Sequence, residues 1–454
     1  MSCWKAGGRS PLLRVWPEQG GYRSLGGCAV IAGQRNCRLD EANSTSIART
    51  VLTGSRFLSA REPGRVIRPV MEMSQGLSAR ILFLAQFAAP PLVLLLATSV
   101  GFVAETRAQN SIAAKKLIEF GWDEPDTAFL RKHIAQMETT PFDGTVFHVK
   151  YAGRDGRTGV FSWEPWSRRA FTEDDVRSAM DDLKATTFRR FRDNFLRFNT
   201  TPADIDWFDD FSAVVGNARL AGKIARAGKA KGILFDTEAY AQPLFNYQRQ
   251  KFAPTKSWQE YAEQASRRGS ELMKAFQHDF PGVKIFLTFG YGLPWERCMA
   301  RGKALMDCDY GLLAPFLDGM LGAVRGSSRI IDGYEFAYYF KEPREFPEAY
   351  FTAKNVLQLI VSDPKKYLQV FSFSFGIWMD ADWRERGWHV DDHARNFHSP
   401  EQFEAVVRKA LEVADEYVWI YTETPRWWSE PEGNSTNLPD SYKASLSRAR
   451  QTTP

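Results

Sequence analysis

KGILFDTEAY, residues 231–240, joins the two features on which the reading of this chain turns. Gly232–Phe235 is a short apolar run of the kind that forms a strand buried on both faces. It ends in Asp236 and Glu238, two residues apart and therefore on one strand face if the period of two continues. A strand buried on both faces belongs to a parallel sheet, and parallel neighbours need a crossover helix between them. The rest of the chain should then repeat strand and helix.

It does. Apolar or aromatic runs fall at KLIEFGW (116–122), GTVFHVK (144–150), NFLRFNT (194–200), GILFD (232–236), KIFLTFG (284–290), IIDGYEFAYYF (330–340), QVFSFSFGIW (369–378) and YVWIYTE (417–423). Between them run helical patterns such as 127–139, 257–280 and 399–416, the last with Ser399 as cap and Pro400 at the first helical position. Residues 441–451 supply a final helix. Eight strands alternating with helices predict an α/β fold, a (β/α)8 TIM barrel, over residues 109–454. An open doubly wound sheet is the competing arrangement, but GWDEPDT after the first strand holds no glycine-rich phosphate turn.

In such a barrel the chemistry lies where strands end. The strand ends carry Trp122 and Asp123, His148, Asn199, Asp236 and Glu238, Tyr291, Glu335, Trp378 and Asp380, and Glu423 followed by Trp427 and Trp428. On the seventh strand Ser372, Ser374, Gly376, Trp378 and Asp380 share the face expected to point inward, while Phe371, Phe373, Phe375, Ile377 and Met379 face the helices. On the eighth, Tyr417, Trp419, Tyr421 and Glu423 share a face. Three strands thus aim an acid into one bowl. Glycosidic cleavage needs a protonated acid for the leaving oxygen and a second carboxylate as nucleophile or base. Neighbouring carboxylates raise one another's proton affinity, which keeps one of them protonated. Glu238 is the candidate acid, Asp236 its partner, and Asp380 or Glu423 the second carboxylate. Trp122, Asp123, His148, Asn199, Tyr291, Glu335, Trp378 and Trp427 are the candidate carbohydrate-binding residues.

The strand layout and the acid on strand four resemble the broad superfamily of (β/α)8-barrel glycoside hydrolases, at the level of architecture across residues 115–430. In chitinase-like members strand four carries an acidic motif ending Asp-x-Glu with the Glu as general acid, and Asp236-Thr237-Glu238 is similar to that ending. The earlier acidic positions of that motif hold Lys231 and Leu234 here. In the large retaining clan strand four ends Asn-Glu and strand seven ends in a Glu nucleophile. Thr237 precedes Glu238 in this chain, and strand seven offers Asp380. The resemblance implies a carbohydrate substrate and no cofactor.

Composition sets the remaining bounds. The 454 residues are 44% hydrophobic and 25% charged, as in globular proteins. Residues 1–108 hold 13 of the 59 Lys and Arg but 6 of the 54 Asp and Glu, so the remainder is nearly neutral and gives no case for a nucleic-acid partner. Residues 1–70 show no periodicity and read as an extension outside the fold, or a start assigned too early. From Met71 the pattern begins afresh: Arg80, an uncharged run from Ile81 to Ala104, then Thr106-Arg107-Ala108. This predicts a signal peptide over 71–108, and a secreted or periplasmic protein. The run is long enough for a membrane anchor if uncleaved, and Pro90-Pro91 in its middle favours cleavage. Of the cysteines, only Cys298 and Cys308 follow it, which predicts a disulfide closing a short loop.

Two other functions are compatible with these residues. One is a non-catalytic glycan-binding barrel keeping the aromatic bowl. The other is a metal-dependent hydrolase using His389 and His393, four apart in HVDDHARNFH (389–398), although no familiar metal spacing is complete.

Overall fold

The computed structural model describes residues 112–451 apart from residue 113. The extension expected over 1–70 and the signal segment expected over 71–108 lie outside the described residues. Eight parallel strands form the fold: β1 (Lys116–Glu119), β2 (Gly144–Phe147), β3 (Phe195–Asn199), β4 (Gly232–Asp236), β5 (Lys284–Leu287), β6 (Arg329–Asp332), β7 in two pieces (Phe371–Phe373 and Phe375–Trp378) and β8 (Tyr417–Tyr421). Each pairs with its successor, and β8 returns to β1 through Lys116–Tyr417 to Glu119–Ile420. The ring closes at β7, whose first piece pairs with β6 and whose second pairs with β8, with Ser374 at the break. The chain folds as a (β/α)8 barrel.

One principal helix follows each strand: α1 (Thr127–Met137), α2 (Arg177–Ala185), α3 (Ser212–Ala227), α4 (Trp258–His278), α5 (Leu313–Ala323), α6 (Glu345–Phe351), α7 (Pro400–Val413) and α8 (Asp440–Ala449). Capping boxes open α4, with Ser257 and Glu260, and α7, with Ser399 and Gln402. Each satisfies two amides that a helix start leaves without partners. Among the described residues no helix is long and apolar enough to cross a membrane.

The barrel interior is filled in layers, as strand alternation requires. At the floor the Lys284 ammonium donates to the Tyr417 hydroxyl (2.9 Å) and pairs with Glu416, and Tyr417 donates to Asp193 (2.8 Å). Above lie Phe195, Phe286 and Trp419, with ring centroids 5.3 and 6.3 Å apart in sequence. Gly376 is confined to glycine here, because a Cβ would sit 2.7 Å from both Trp419 and Tyr338. The outward row of β7 packs as its period predicts, Phe373 against Tyr334 and Phe375 against Phe346.

Two elements differ from the sequence reading. The sixth strand ends at Asp332, well short of residue 340. Its carboxylate accepts the amides of Gly290 (3.1 Å) and Tyr334 (3.0 Å), which turns the chain into a 3-10 helix, Glu335–Tyr339. A hairpin of Lys150–Ala152 with Thr158–Val160 is inserted after β2 and delivers Trp163 to the barrel mouth.

Candidate active site

The mouth is organised around Arg197, which projects inward two residues before the end of β3. Its guanidinium donates to Asn199 (2.7 Å), to Glu124 (2.7 Å) and to Asp236 (2.9 Å), and lies over the Trp163 ring at 4.0 Å and the Phe120 ring at 5.0 Å. Burial opposes its charge, but Glu124 and Asp236 outweigh burial and hold it protonated. Glu124 also pairs with His148 at 3.3 Å. Burial alone would raise the Glu124 carboxyl; Arg197 and His148 outweigh it and hold the carboxyl below the ordinary range.

Asp236 has every acceptor position filled. Oδ1 accepts from the Thr288 hydroxyl (3.2 Å) and the Glu238 amide (3.1 Å), while Oδ2 accepts from Arg197 and from the Tyr240 hydroxyl (3.0 Å). Four donors suit an ionised carboxylate. The backbone around Glu238 is fixed from several sides. Thr200 donates to its carbonyl (2.8 Å), and the next amide, of Ala239, donates to the Tyr310 hydroxyl (3.1 Å). Tyr310 closely follows the loop that the Cys298–Cys308 disulfide closes, so that crosslink lies next to the residue bracing the β4 end.

Tyr240 decides the proton inventory. Its hydroxyl lies against both Asp236 Oδ2 and Glu238 Oε2, yet a hydroxyl has one hydrogen to donate. Both contacts are satisfied together when Tyr240 donates to Asp236 and a protonated Glu238 donates to the Tyr240 oxygen. The electrostatics agree: burial first, and the charge of Asp236 second, push the Glu238 carboxyl up to about 8, against the pull of Tyr240 and Arg197.

The structure thus gathers Glu238, Asp236, Asn199 and His148 into one chain of contacts, and Glu335 lies close enough to sense the charges of Glu238 and Asp236. Trp378 packs on Tyr338 (5.7 Å) and Tyr421 (5.6 Å) in the adjoining aromatic wall. Glu423 accepts from the Trp383 indole (2.8 Å), the Arg384 guanidinium (2.6 Å) and the Tyr421 hydroxyl (3.2 Å). Asp380 accepts from the Trp378 indole (2.9 Å) and from the amides of Glu423 and Thr424, so its oxygens build the loop that leaves β8. Burial pushes Asp380 up to about 6. Trp122 is 52% exposed, sits edge-on to Trp383 at 6.4 Å and carries Arg426 over its ring at 5.5 Å.

Asp123, Trp427 and Tyr291 are placed differently. Trp427 is buried edge-on to Phe142, and its amide donates to Asp123 (2.6 Å). Tyr291 is buried against Tyr367 and Phe371, with its hydroxyl on Asp318 (2.8 Å). Past the end of a strand the chain leaves period two, so proximity to a strand end does not fix a face. Residues not singled out from sequence as candidates are Arg197, Trp163, Tyr240 and Tyr310. For Arg197 a signal existed, because Arg197 and Asn199 alternate with Leu196 and Phe198 and so share the inward face.

His389 and His393 do not converge on a common point of ligation. Their Nε2 atoms donate to the carbonyls of Arg386 (2.9 Å) and Val390 (2.8 Å). Among the described residues no group of three His, Cys, Asp or Glu is assembled that would hold a metal ion.

No protein-family model and no curated protein matches this chain. Among solved structures it is similar to a glucosidase from Croceicoccus marinus (12% identity, TM-score 0.38), covering 76% of this chain and 61% of that one. It is also similar to a GH5-4 broad specificity endoglucanase from an uncultured bacterium (11%, TM-score 0.39, 75% of this chain and 96% of that one). A third is a hyperthermophilic endocellulase from the archaeon Pyrococcus horikoshii (10%, TM-score 0.35, 73% and 87%). The chain spans less than two thirds of the glucosidase's length. These likenesses are of architecture, and no particular family is assigned.

Proposed function

We propose that the protein is a glycoside hydrolase acting on a polysaccharide or oligosaccharide, with Glu238 as general acid. The observation that carries this reading is the Tyr240 hydroxyl set against two carboxyl groups at the barrel mouth: its one hydrogen can serve only one of them, and a proton on Glu238 satisfies both contacts. Asp236 keeps the charge that raises the proton affinity of Glu238. Glu423 takes the role of second carboxylate: burial raises its proton affinity against the pull of Arg384, Trp383 and Tyr421, and its partners are side chains, whereas Asp380 is occupied by the backbone amides of its own loop. In the reaction Glu238 gives its proton to the leaving glycosidic oxygen as the bond to the anomeric carbon breaks, and that carbon takes a new bond either from the Glu423 carboxylate, later hydrolysed by water, or directly from a water that Glu423 deprotonates. Trp122 and Trp163, each with a guanidinium over one face, offer the other face for a sugar ring to stack on.

We further propose that the chain is exported, which detection of the mature protein outside the cytoplasm would test. The experiment for the activity is release of reducing ends across a polysaccharide panel by the full chain and by Glu238→Gln. The parent should release sugar, and the folded variant should fall by about 10²- to 10⁴-fold while still binding the same glycan. Equal release by both would remove Glu238 from the chemistry. Glycan binding with no release by either would favour the non-catalytic barrel.

A further inference from the structure

Glu335 stands apart from the other acids of the mouth. It is 5% exposed, the Tyr338 hydroxyl is its near polar neighbour, its Oε2 makes no well-formed hydrogen bond, and it forms no ion pair among the described residues. Its position is built at a cost. Tyr334 just before it adopts φ 45°, ψ 61°, a left-handed conformation that a bulky side chain rarely takes. Asp332 holds that turn by accepting the Tyr334 amide, and the Glu335 amide then donates to the Thr288 carbonyl (3.3 Å). Thr288 is the residue whose hydroxyl donates to Asp236. A strained turn thus sets a buried carboxyl one residue from a partner of the central aspartate and leaves it an oxygen to spare.

The charges at the mouth do not allow that carboxyl to be an anion. Arg197 already answers both Asp236 and Glu124. The other titratable groups facing Glu335 are Glu238, Tyr240, Tyr338, Tyr339 and Tyr421, none of them a cation. An ionised Glu335 would be a buried charge without a counter-ion, a costly state that a carboxyl escapes by keeping its proton. Burial first, then its neighbours Glu238, once that group ionises, and Asp236, hold it well above the ordinary carboxylate range. A carboxylic acid kept neutral in this way is a hydrogen-bond donor, and an unpartnered donor in a binding bowl wants an oxygen.

We propose that Glu335 is a neutral hydrogen-bond donor that positions the glycan by binding one of its oxygen atoms beside Glu238. It is neither the nucleophile nor the base. The inference rests on the glycosidase reading for the identity of the ligand, but the protonation it requires does not. Two measurements on the full chain test it. In the first, ¹³C-labelled glutamate carboxyl resonances are followed with pH, and Glu335 is assigned from the peak missing in Glu335→Gln. The Glu335 carbon should stay at its protonated position from about pH 5 to pH 8, and titration near the ordinary glutamate value of about 4.3 would overturn the proposal whatever the enzyme does. In the second, Glu335→Gln, which retains a donor, should keep kcat/KM within about fivefold of the parent, while Glu335→Ala should lose about 10- to 100-fold. Equal inactivation by both, with the folded state intact, would show that an ionised carboxylate is needed and would overturn it.

Discussion

The floor and the mouth of the barrel are built from the same strands, two or three layers apart, and they treat charge in opposite ways. At the floor Lys284, Tyr417, Asp193 and Glu416 form a closed set in which the one cation has an acid and a hydroxyl beside it. At the mouth Arg197 serves two acids, Glu238 and Glu335 have no cation of their own, and Asn199 Nδ2, Glu335 Oε2 and the Tyr338 hydroxyl lack partners among the described residues. Folding alone would favour the first arrangement everywhere, since each unpartnered buried polar group costs free energy. On the proposed function, the excess of acid over base at the mouth belongs to the end of the barrel that takes the glycan.

Substitutions sharpen this contrast. The largest effect is expected from Arg197→Met, which leaves Asp236 a buried charge with no cation and Glu124 with His148 alone. A loss of about 3–5 kcal/mol of stability should appear in denaturant unfolding. Asp236→Asn comes next. It removes the neighbouring charge that raises Glu238, so the alkaline limb of the pH–rate profile should move to lower pH, with turnover down by about 10²-fold. An unmoved limb would show that Asp236 does not tune the acid. Trp122→Ala removes the exposed ring at the rim and should weaken glycan binding by about tenfold in titration calorimetry, with kcat little changed. The smallest effect belongs to the floor. Lys284→Met breaks a partly exposed pair and should cost about 1 kcal/mol or less, leaving the alkaline limb where it was. If Lys284→Met moved that limb as far as Asp236→Asn, the two ends of the barrel would not be electrostatically distinct.

Much of this plan was legible before any coordinates. The parallel barrel follows from eight apolar runs alternating with capped helices, and the faces of β7 and β8 follow from period two, down to Gly376 beneath Trp419 and Tyr338. Asp236 and Glu238 stood out because period two puts both on one face at the C-terminal end of a strand, where a barrel keeps its chemistry. The rest depended on contacts between strands distant in sequence. Nothing local says that Tyr240 reaches back to both acids, or that Trp163 arrives from a hairpin after β2. Tyr291 and Trp427 lie next to strand ends yet pack between strands and helices, because the loop geometry there is set by Asp318 and Asp123 rather than by alternation.

The proton of Glu238 is central to the proposed activity, and its most direct measurement is the pH dependence of reducing-end release by the full chain. A general acid raised to about 8 works while it is protonated, so activity should persist through neutral pH and fall as pH rises through about 8. The same sign governs stability. Because the folded state holds this proton more tightly than the unfolded chain, stability should decline from about pH 4.5 up to about pH 8 and level off above it, and Glu238→Gln should remove that part of the decline. A rate that stays level or climbs beyond about pH 9, with the protein folded, would mean that Glu238 is not the proton donor.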